Sequence, residues 1–284
     1  MQQYEQHCKN SVSHSHKFSS LGEEETELFY KLDGIFKSWG VQFGAEPMVL
    51  PLLLPVNFLS KLDVYNNFPQ QAVVATSLDL QRLDTKIDCV TNIDHFALTH
   101  MEPAELALPA AACYAVYMHF IDQKLPSSGK LITVLGNCCR RESYYESFNR
   151  LLGFHMREIV ALGSQEFAEK NLSRLTIKIT EFAQAIKLPL RKQKATDPFY
   201  DQNSSRLLMQ KISPVKHEFL FENLAIASLN SHRNFFGERC SITLDGSDAP
   251  IFTSCVGFGL ERWLAVLYKH CGSFRKASLI LDDF

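Results

Sequence analysis

At 284 residues, 46% of them hydrophobic, the chain is long enough to form one large globular domain. Its 29 basic and 31 acidic residues leave a formal net charge of −2 and form no basic stripe, which argues against a dedicated nucleic-acid surface. No apolar run approaches the length of a membrane span, and the polar first 20 residues do not resemble a signal peptide. The eight cysteines contain no C-x-x-C pair and no spacing typical of a disulfide framework, which indicates free thiols in a reducing cytoplasm.

The N-terminal part predicts a disordered segment followed by a long helix. Residues 1–20 are low in apolar content and are expected to be disordered, whereas residues 21–284 are expected to form one folded domain. Helical spacing of apolar residues predicts a helix from Ser19 or Ser20 to about Trp39, ended by Gly40. A proline-bounded strand over 49–55 and a short helix over 56–62 should follow.

The rest of the chain alternates strand-like and helical patterns. The predicted elements are an Ala-rich helix that begins after Pro109, a strand over 131–135, an amphipathic helix over 164–185, a polar mobile segment over 191–206, and strands over 217–221, 224–230 and 241–244. Strands that follow one another through turns, with helices between them, predict an α+β fold in which helices flank an antiparallel sheet.

The stretch from Gly136 to Gly163 carries the densest chemistry. Alternation at period two places side chains on shared strand faces, with Cys138, Arg140 and Glu142 on the first strand and Phe154, Met156, Glu158 and Val160 on the second. An antiparallel pair would present a cation, two carboxylates and an aromatic ring to one cleft. The alternative is a solvated, charged strand end.

A second motif, Gly257-Phe-Gly-Leu-Glu-Arg262, opens an apolar-periodic helix. Arg262 falls in the first turn of that helix, where free backbone N–H groups favour phosphate. A guanidinium there adds two parallel donors. The pattern predicts a phosphate site.

Together these stretches resemble the second and third signature motifs of class II aminoacyl-tRNA synthetases. The resemblance implies a class II synthetase-like catalytic domain in which Arg140, or else Arg141, holds the α-phosphate of ATP and Arg262 the distal phosphates. It implies that Glu142 meets the adenine and that Phe154 stacks on it. The nucleotide-binding residues so expected are Arg140, Glu142, Arg150, Leu151, Phe154, Ala227, Ser228 and Arg262, with Arg140 and Arg262 as the catalytic pair. The segment up to Pro55 resembles the first motif, which implies a homodimer.

Cys113, Glu158 and Cys255 form the expected metal site. Two thiolates, one carboxylate and an open fourth position suit tetrahedral zinc with room for a substrate. The trio resembles that of the zinc-dependent seryl-tRNA synthetases of methanogens and, more closely, of the amino acid:[carrier protein] ligases. In both, zinc takes the α-amino group of the substrate. Cys138 and Cys139 are rival ligands, of which at most one faces the cleft.

The resemblance to the carrier-protein ligases covers about residues 22–284, and residues 225–237 resemble them and not the seryl enzymes. It implies that ATP and Mg²⁺ activate a small amino acid, glycine or alanine, which passes to the phosphopantetheine thiol of a carrier protein. Because only about 20 residues precede the catalytic core and no basic surface is present, tRNA is not the expected acceptor. The alternatives are tRNA aminoacylation and a non-catalytic relative.

Two further expectations concern charged residues. Ala225 stands where the seryl enzymes have a magnesium-binding glutamate, so Glu222 or a changed magnesium geometry would have to compensate. The cluster from Arg191 to Lys194, with the segment to Arg206, is the candidate docking patch for an acidic carrier protein, and a solvated loop is the alternative.

Overall fold

A computed structural model describes residues 17–82, 96–201, 203 and 215–284. Of the segment expected to be disordered, residues 1–16 lie outside the described residues. The backbone carbonyl of Lys17 accepts a hydrogen bond from the N–H of Leu152 at 2.9 Å. None of the described helices is both long and apolar enough to cross a bilayer.

A seven-stranded sheet forms the centre of the fold. The described strands are β1 Glu46–Met48, β2 Leu54–Pro55, β3 Val73–Ala75, β4 Leu106–Leu108, β5 Lys124–Leu125, β6 Lys130–Cys139, β7 Gly153–Gly163, β8 Leu190–Ala195, β9 Lys216–Phe221, β10 Leu224–Arg233, β11 Thr243–Leu244 and β12 Phe252–Gly259. The order of the large sheet is β1-β6-β7-β12-β10-β9-β8. Only the β1–β6 pair in it is parallel, so the predicted antiparallel sheet is confirmed.

Helices cover both faces of this sheet. They are α1 Glu23–Gln42, α2 Val56–Lys61, α3 Val64–Asn67, α4 Cys113–His119, α5 Gln165–Ala185, α6 Phe235–Arg239, α7 Leu260–Cys271 and α8 Phe274–Leu279. The alternation of β7 divides the core, because Ile159 and Ala161 pack among α1, α5 and α7 whereas Val160 and Leu162 pack among α2 and α4. The strands therefore carry two apolar layers, one on each face.

A buried ion pair fixes α1 to the sheet. The guanidinium of Arg157 in β7 donates from Nε and Nη2 to the two carboxylate oxygens of Asp33 in α1, both at 2.7 Å. A third contact reaches the hydroxyl of Thr133 in β6 at 3.3 Å. Loss of one partner would leave a buried charge uncompensated, which typically costs about 3–5 kcal/mol.

Several predicted boundaries differ from the structure. The first helix is capped by Gly22 and continues through Gly40 to Gln42, because Gly40 lets it pack closely on Ile159. The strand predicted over 49–55 is reduced to β2, and β1 precedes it. The strand predicted over 241–244 is the short β11, which pairs in parallel with β5.

The prediction of a polar, mobile segment over residues 191–206 is wrong for the first part of that range. Residues 190–195 form β8, the edge strand of the large sheet, and pair with β9 along their whole length. The backbone hydrogen bonds of a partner strand override the low strand propensity of a lysine-rich run. Position 206 lies outside the described residues.

Candidate active site

Two adjoining cavities open on the sheet face that packs against α4. The first encloses about 100 Å³ and the second about 500 Å³. Arg140, Met156, Lys216 and Ser228 line both cavities. Gly257 lies at this junction, where a Cβ would stand only 3.1 Å from the sulfur of Met156 and 3.3 Å from the hydroxyl oxygen of Ser228. The absence of a side chain keeps the floor open there.

The first cavity gathers all of the residues expected to bind nucleotide. Its lining includes Arg140, Glu142, Arg150, Leu151, Phe154, Ala227, Ser228 and Arg262. They come from the β6–β7 connection, from β7, from β10 and from the first turn of α7, so the sheet brings distant parts of the chain to one place.

Arg262 is held rigidly inside this cavity. Its Nε donates to the carbonyl of Asn149 and its Nη1 to the carbonyl of Ala225, both at 2.9 Å. Burial, followed by the neighbouring charges of Arg140 and Arg150, lowers the pKa of Arg262 to about 10. Three arginines in one cavity favour a polyanionic ligand, because phosphate charge would offset both their burial and their mutual repulsion.

The loop after β6 positions the other charged groups. The strand ends at Cys139, so Arg140 and Glu142 lie beyond it and not on a continuing strand face as predicted. The Nε of Arg140 donates to the carbonyl of Ala110 at 2.8 Å, and its guanidinium lies 5.1 Å from the centroid of the Phe154 ring. Glu142 pairs with Arg150 at 2.8 Å.

Arg140 and Arg141 differ in what they face. Arg140 lines both cavities, whereas Arg141 lines neither of them and its backbone N–H donates to the carbonyl of Gln71 at 3.1 Å. Of the two arginines, Arg140 is therefore the one that faces the cavities.

Glu261 joins the start of α7 to β7. Its carboxylate accepts the backbone N–H of His155 at 2.9 and 3.0 Å and lies 2.6 Å from the Nδ1 of the same residue. This hydrogen bond raises the pKa of His155 above its usual value. The contact anchors the helix turn that carries Arg262.

Cys113, Glu158 and Cys255 meet in the second cavity. One ligand atom from each lies within 4.8 Å of the others, and all three side chains are buried. They come from the first turn of α4, from β7 and from β12. Gly136 allows β6 to approach Ala112 closely, because a Cβ at position 136 would lie only 2.5 Å from the Cβ of Ala112. This close approach positions Cys113, the next residue in the chain.

The chemistry of the trio fits a metal ion. The Oε1 of Glu158 accepts the N–H of Ala112 at 3.1 Å, but its Oε2 is buried without a hydrogen-bond partner. Burial raises the pKa of Glu158 well above its usual value. A hydrogen bond to Cys255, together with burial, raises the pKa of Cys113, and the same hydrogen bond lowers the pKa of Cys255. A divalent cation would satisfy the orphaned oxygen and allow all three groups to ionise.

The rival cysteines are placed differently. Cys138 is fully buried among apolar side chains, and Cys139 is partly exposed at the end of β6. Within the described ranges, neither belongs to a cluster of metal-ligating groups.

Several cavity residues were not singled out from the sequence. Asn230 Nδ2 lies 3.5 Å and His232 Nε2 3.7 Å from the sulfur of Cys255. With Ser228 they occupy alternate positions of β10, which is a periodic signal that the sequence does contain. Lys216 and Glu218 in β9 were also missed, because only the pairing of β9 with β10 brings them to the cavities.

Glu222 lies away from the place where it was expected to compensate for Ala225. It lies in the turn between β9 and β10, has a side chain that is 59% exposed, and pairs with Lys269 at 2.6 Å. It lines neither cavity. Glu218 lines the first cavity and is the carboxylate that β9 directs towards it.

Comparison with solved structures identifies the class of fold. A crystal structure of M. kandleri SerRS with A. aeolicus tRNASec superposes with a TM-score of 0.79 over 99% of this chain and 60% of that chain, at 18% identity. Seryl-tRNA synthetase from Pyrococcus horikoshii complexed with ATP gives a TM-score of 0.70 over 93% and 56%, at 13% identity. The chain has the fold of the class II aminoacyl-tRNA synthetase catalytic domain.

Sequence similarity then points to particular relatives. The amino acid–[acyl-carrier-protein] ligase 1 of Bradyrhizobium diazoefficiens is 33% identical over 180 residues, which cover 61% of this chain and 54% of that protein. The type-2 serine–tRNA ligase of Methanococcus maripaludis is 31% identical over 132 residues, covering 42% and 25%. No family model matches the chain. The chain spans about half the length of the carrier-protein ligase that it matches.

Proposed function

We propose that residues 21–284 form the catalytic domain of an ATP-dependent amino acid:[carrier protein] ligase. One observation carries the proposal, namely that an arginine-rich cavity suited to polyphosphate adjoins a buried Cys–Glu–Cys trio, with Arg140 lining both. The similarity to proteins named as amino acid–[acyl-carrier-protein] ligases supports the choice of reaction.

The reaction has two steps. A carboxylate oxygen of the amino acid attacks the α-phosphorus of ATP, the bond to the oxygen that bridges to the β-phosphate breaks, and pyrophosphate leaves. The phosphopantetheine sulfur then attacks the carbonyl carbon of the aminoacyl-adenylate, AMP leaves, and the thiol proton passes to solvent. Arg140 and Arg262 would bind the phosphates and stabilise the charge that gathers on them. Phe154 would stack on the adenine.

Two metal ions are part of the proposal. Cys113, Glu158 and Cys255 would hold zinc, which would fix the position of the amino group of the substrate. Mg²⁺ would accompany ATP, and the carboxylates of Glu142 and Glu218 line the cavity in which it would bind.

The amino acid is proposed to be glycine or alanine, as the family resemblance implies. The second cavity, of about 500 Å³, is larger than such a substrate needs. The surplus volume would admit the end of the phosphopantetheine arm, which must bring its sulfur to the carbonyl carbon.

The edge strand β8 is the proposed docking site for the carrier protein. Arg191, Lys192 and Lys194 are exposed on it. Their strand lies in register with β9, where Ala195 pairs with Lys216, a residue that lines both cavities. The basic edge therefore borders the cleft and would attract an acidic partner, more strongly at low salt.

Charge reversal tests the docking site. Exchange of the three basic residues for glutamate should slow carrier aminoacylation at low salt and leave pyrophosphate exchange unchanged, since exchange needs no carrier. An unchanged rate of carrier aminoacylation would refute the docking site and leave the ligase reaction standing.

The chain is further proposed to form a homodimer through its first-motif segment. Val49, Leu52 and Leu53, just before β2, expose apolar side chains, as an interface would require. Sedimentation at micromolar concentration should show twice the 32.3 kDa mass of the chain. A single species of monomer mass would contradict this.

The free thiols of six described cysteines fit a reducing, cytoplasmic location.

One pair of assays tests the function. ATP–pyrophosphate exchange across the twenty amino acids, with zinc-loaded protein, should identify a substrate that is activated. Transfer of that amino acid to a phosphopantetheinylated carrier or to tRNA then identifies the acceptor. Transfer to tRNA alone would favour the serine–tRNA ligase similarity, and absence of exchange with every amino acid would mean that the chain is a non-catalytic relative.

A further inference from the structure

The junction of the two cavities is where the proposed reaction must occur. Nucleotide would enter from the arginine-rich side and the amino acid from the side of the metal trio, so carboxylate and α-phosphorus meet between them. Four residues line both cavities, and only two of these, Arg140 and Lys216, are cationic. The resemblance to synthetases assigns a role to Arg140 but none to Lys216.

Lys216 is held at this junction by two carboxylates from opposite sides. Its Nζ lies 3.1 Å from Asp197, which lines the second cavity, and 3.4 Å from Glu218, which lines the first. Its side chain is only 15% exposed. Lys216 is also the first residue of β9 and pairs with Asn230 on one side and with Ala195 on the other, so its backbone is fixed between two strands.

The ammonium group of Lys216 has an N–H donor available for a ligand. It carries three N–H donors, of which the hydrogen bond to Asp197 occupies one, while Glu218 forms an ion pair with the group. Partial burial lowers the effective dielectric constant around the group and so strengthens its attraction for an anion. In-line attack places growing negative charge on the non-bridging oxygens of the α-phosphate, within the space that Lys216 borders.

We propose that Lys216 is a catalytic residue of amino-acid activation, which contacts the α-phosphate as the substrate carboxylate attacks it. The inference rests on the proposed ligase function. Arg140 and Lys216 would then flank the reacting phosphorus, and Asp197 and Glu218 would position the ammonium group.

Substitution of the lysine separates this role from a structural one. The Lys216→Gln side chain can still donate to Asp197 but lacks the charge, so it should lower the kcat of pyrophosphate exchange by about a hundredfold and change the KM for ATP little. Lys216→Arg restores the charge, so its kcat should be at least about tenfold higher than that of Lys216→Gln. The Lys269→Met control removes an exposed lysine that pairs with Glu222 and lines neither cavity, and it should behave like the wild type.

Each outcome decides the matter. An unchanged kcat in Lys216→Gln, no recovery in Lys216→Arg, or failure of Lys216→Gln to fold would overturn the catalytic role, the last by assigning the lysine to structure. These results would leave the ligase function intact if the wild type exchanges pyrophosphate. Absence of exchange in the wild type itself would instead refute the proposed function, and the catalytic role of Lys216 with it.

Discussion

Removal of Arg262 should separate catalysis from folding. The pKa of its guanidinium is lowered from 12.5 to about 10. Burial and the nearby arginines therefore destabilise the charged form in the folded protein without ligand by roughly 3 kcal/mol. This cost is fully present at pH 7 and is relieved only as pH rises through the folded-state pKa. Exchange of the arginine for methionine, which is of similar length, removes that cost.

The same exchange also removes two hydrogen bonds. The contacts to the carbonyls of Asn149 and Ala225 involve a charged donor, and such bonds contribute about 1.5–3 kcal/mol each. Set against the relieved charge, Arg262→Met should lower the free energy of unfolding by at most about 3 kcal/mol. The variant is therefore expected to fold.

Activity should fall although the variant remains folded. Loss of a preorganised cation at the phosphates costs on the order of a hundredfold in rate, which is about 2.7 kcal/mol of transition-state stabilisation. Pyrophosphate exchange at saturating ATP, measured beside urea unfolding, would show this, and Arg262→Lys should keep part of the activity. Wild-type exchange in Arg262→Met, or a loss that merely follows the unfolded fraction, would refute the reasoning.

Three further predictions concern the metal trio, the adenine and pH. Cys113→Ala and Cys255→Ala should each lose bound zinc and exchange activity but keep the fold, and elemental analysis that finds one zinc per chain in the double variant would contradict the metal site. Phe154→Ala should raise the KM for ATP with little change in kcat, since stacking serves ground and transition states alike, and an unchanged KM would mean that the ring does not meet the adenine. Because its hydrogen bond to Glu261 raises the pKa of His155, protonated His155 should stabilise the fold below about pH 6.5, and this contribution should be lost as pH rises through the raised pKa. His155 is partly exposed, so the effect should stay below about 1 kcal/mol. Urea unfolding of His155→Gln at several pH values should lack this part of the pH dependence, and an unaltered pH profile would contradict it.

Local patterns predicted most of the elements correctly. The amphipathic helix expected over 164–185 is α5, and Ser164 caps it by accepting the N–H of Phe167 at 3.1 Å. Phe154, Met156 and Glu158 share a face of β7 and line the cavities, as period-two alternation predicted. Helical and strand periodicity follow from backbone geometry within a few residues, so the sequence carries that information directly.

Patterns failed where a distant partner decides the outcome. The run from Arg191 to Lys194 has the composition of a loop, yet it is a strand because β9 supplies its backbone hydrogen bonds. Arg140 was expected on a strand face, and it reaches the cavity from a loop held by a hydrogen bond to Ala110. Neither partner lies near in sequence, so local propensity could not reveal them.

By itself the sequence determined the antiparallel α+β fold, the two phosphate-related motifs and the helix turn that presents Arg262, because each depends on spacing within one element. Only the tertiary structure decided that one ligand atom each of Cys113, Glu158 and Cys255 lie within 4.8 Å of one another, and that Lys216 stands where two cavities join. Those relations depend on the order and register of strands that are far apart in the chain, and register is set by the packing of both sheet faces together.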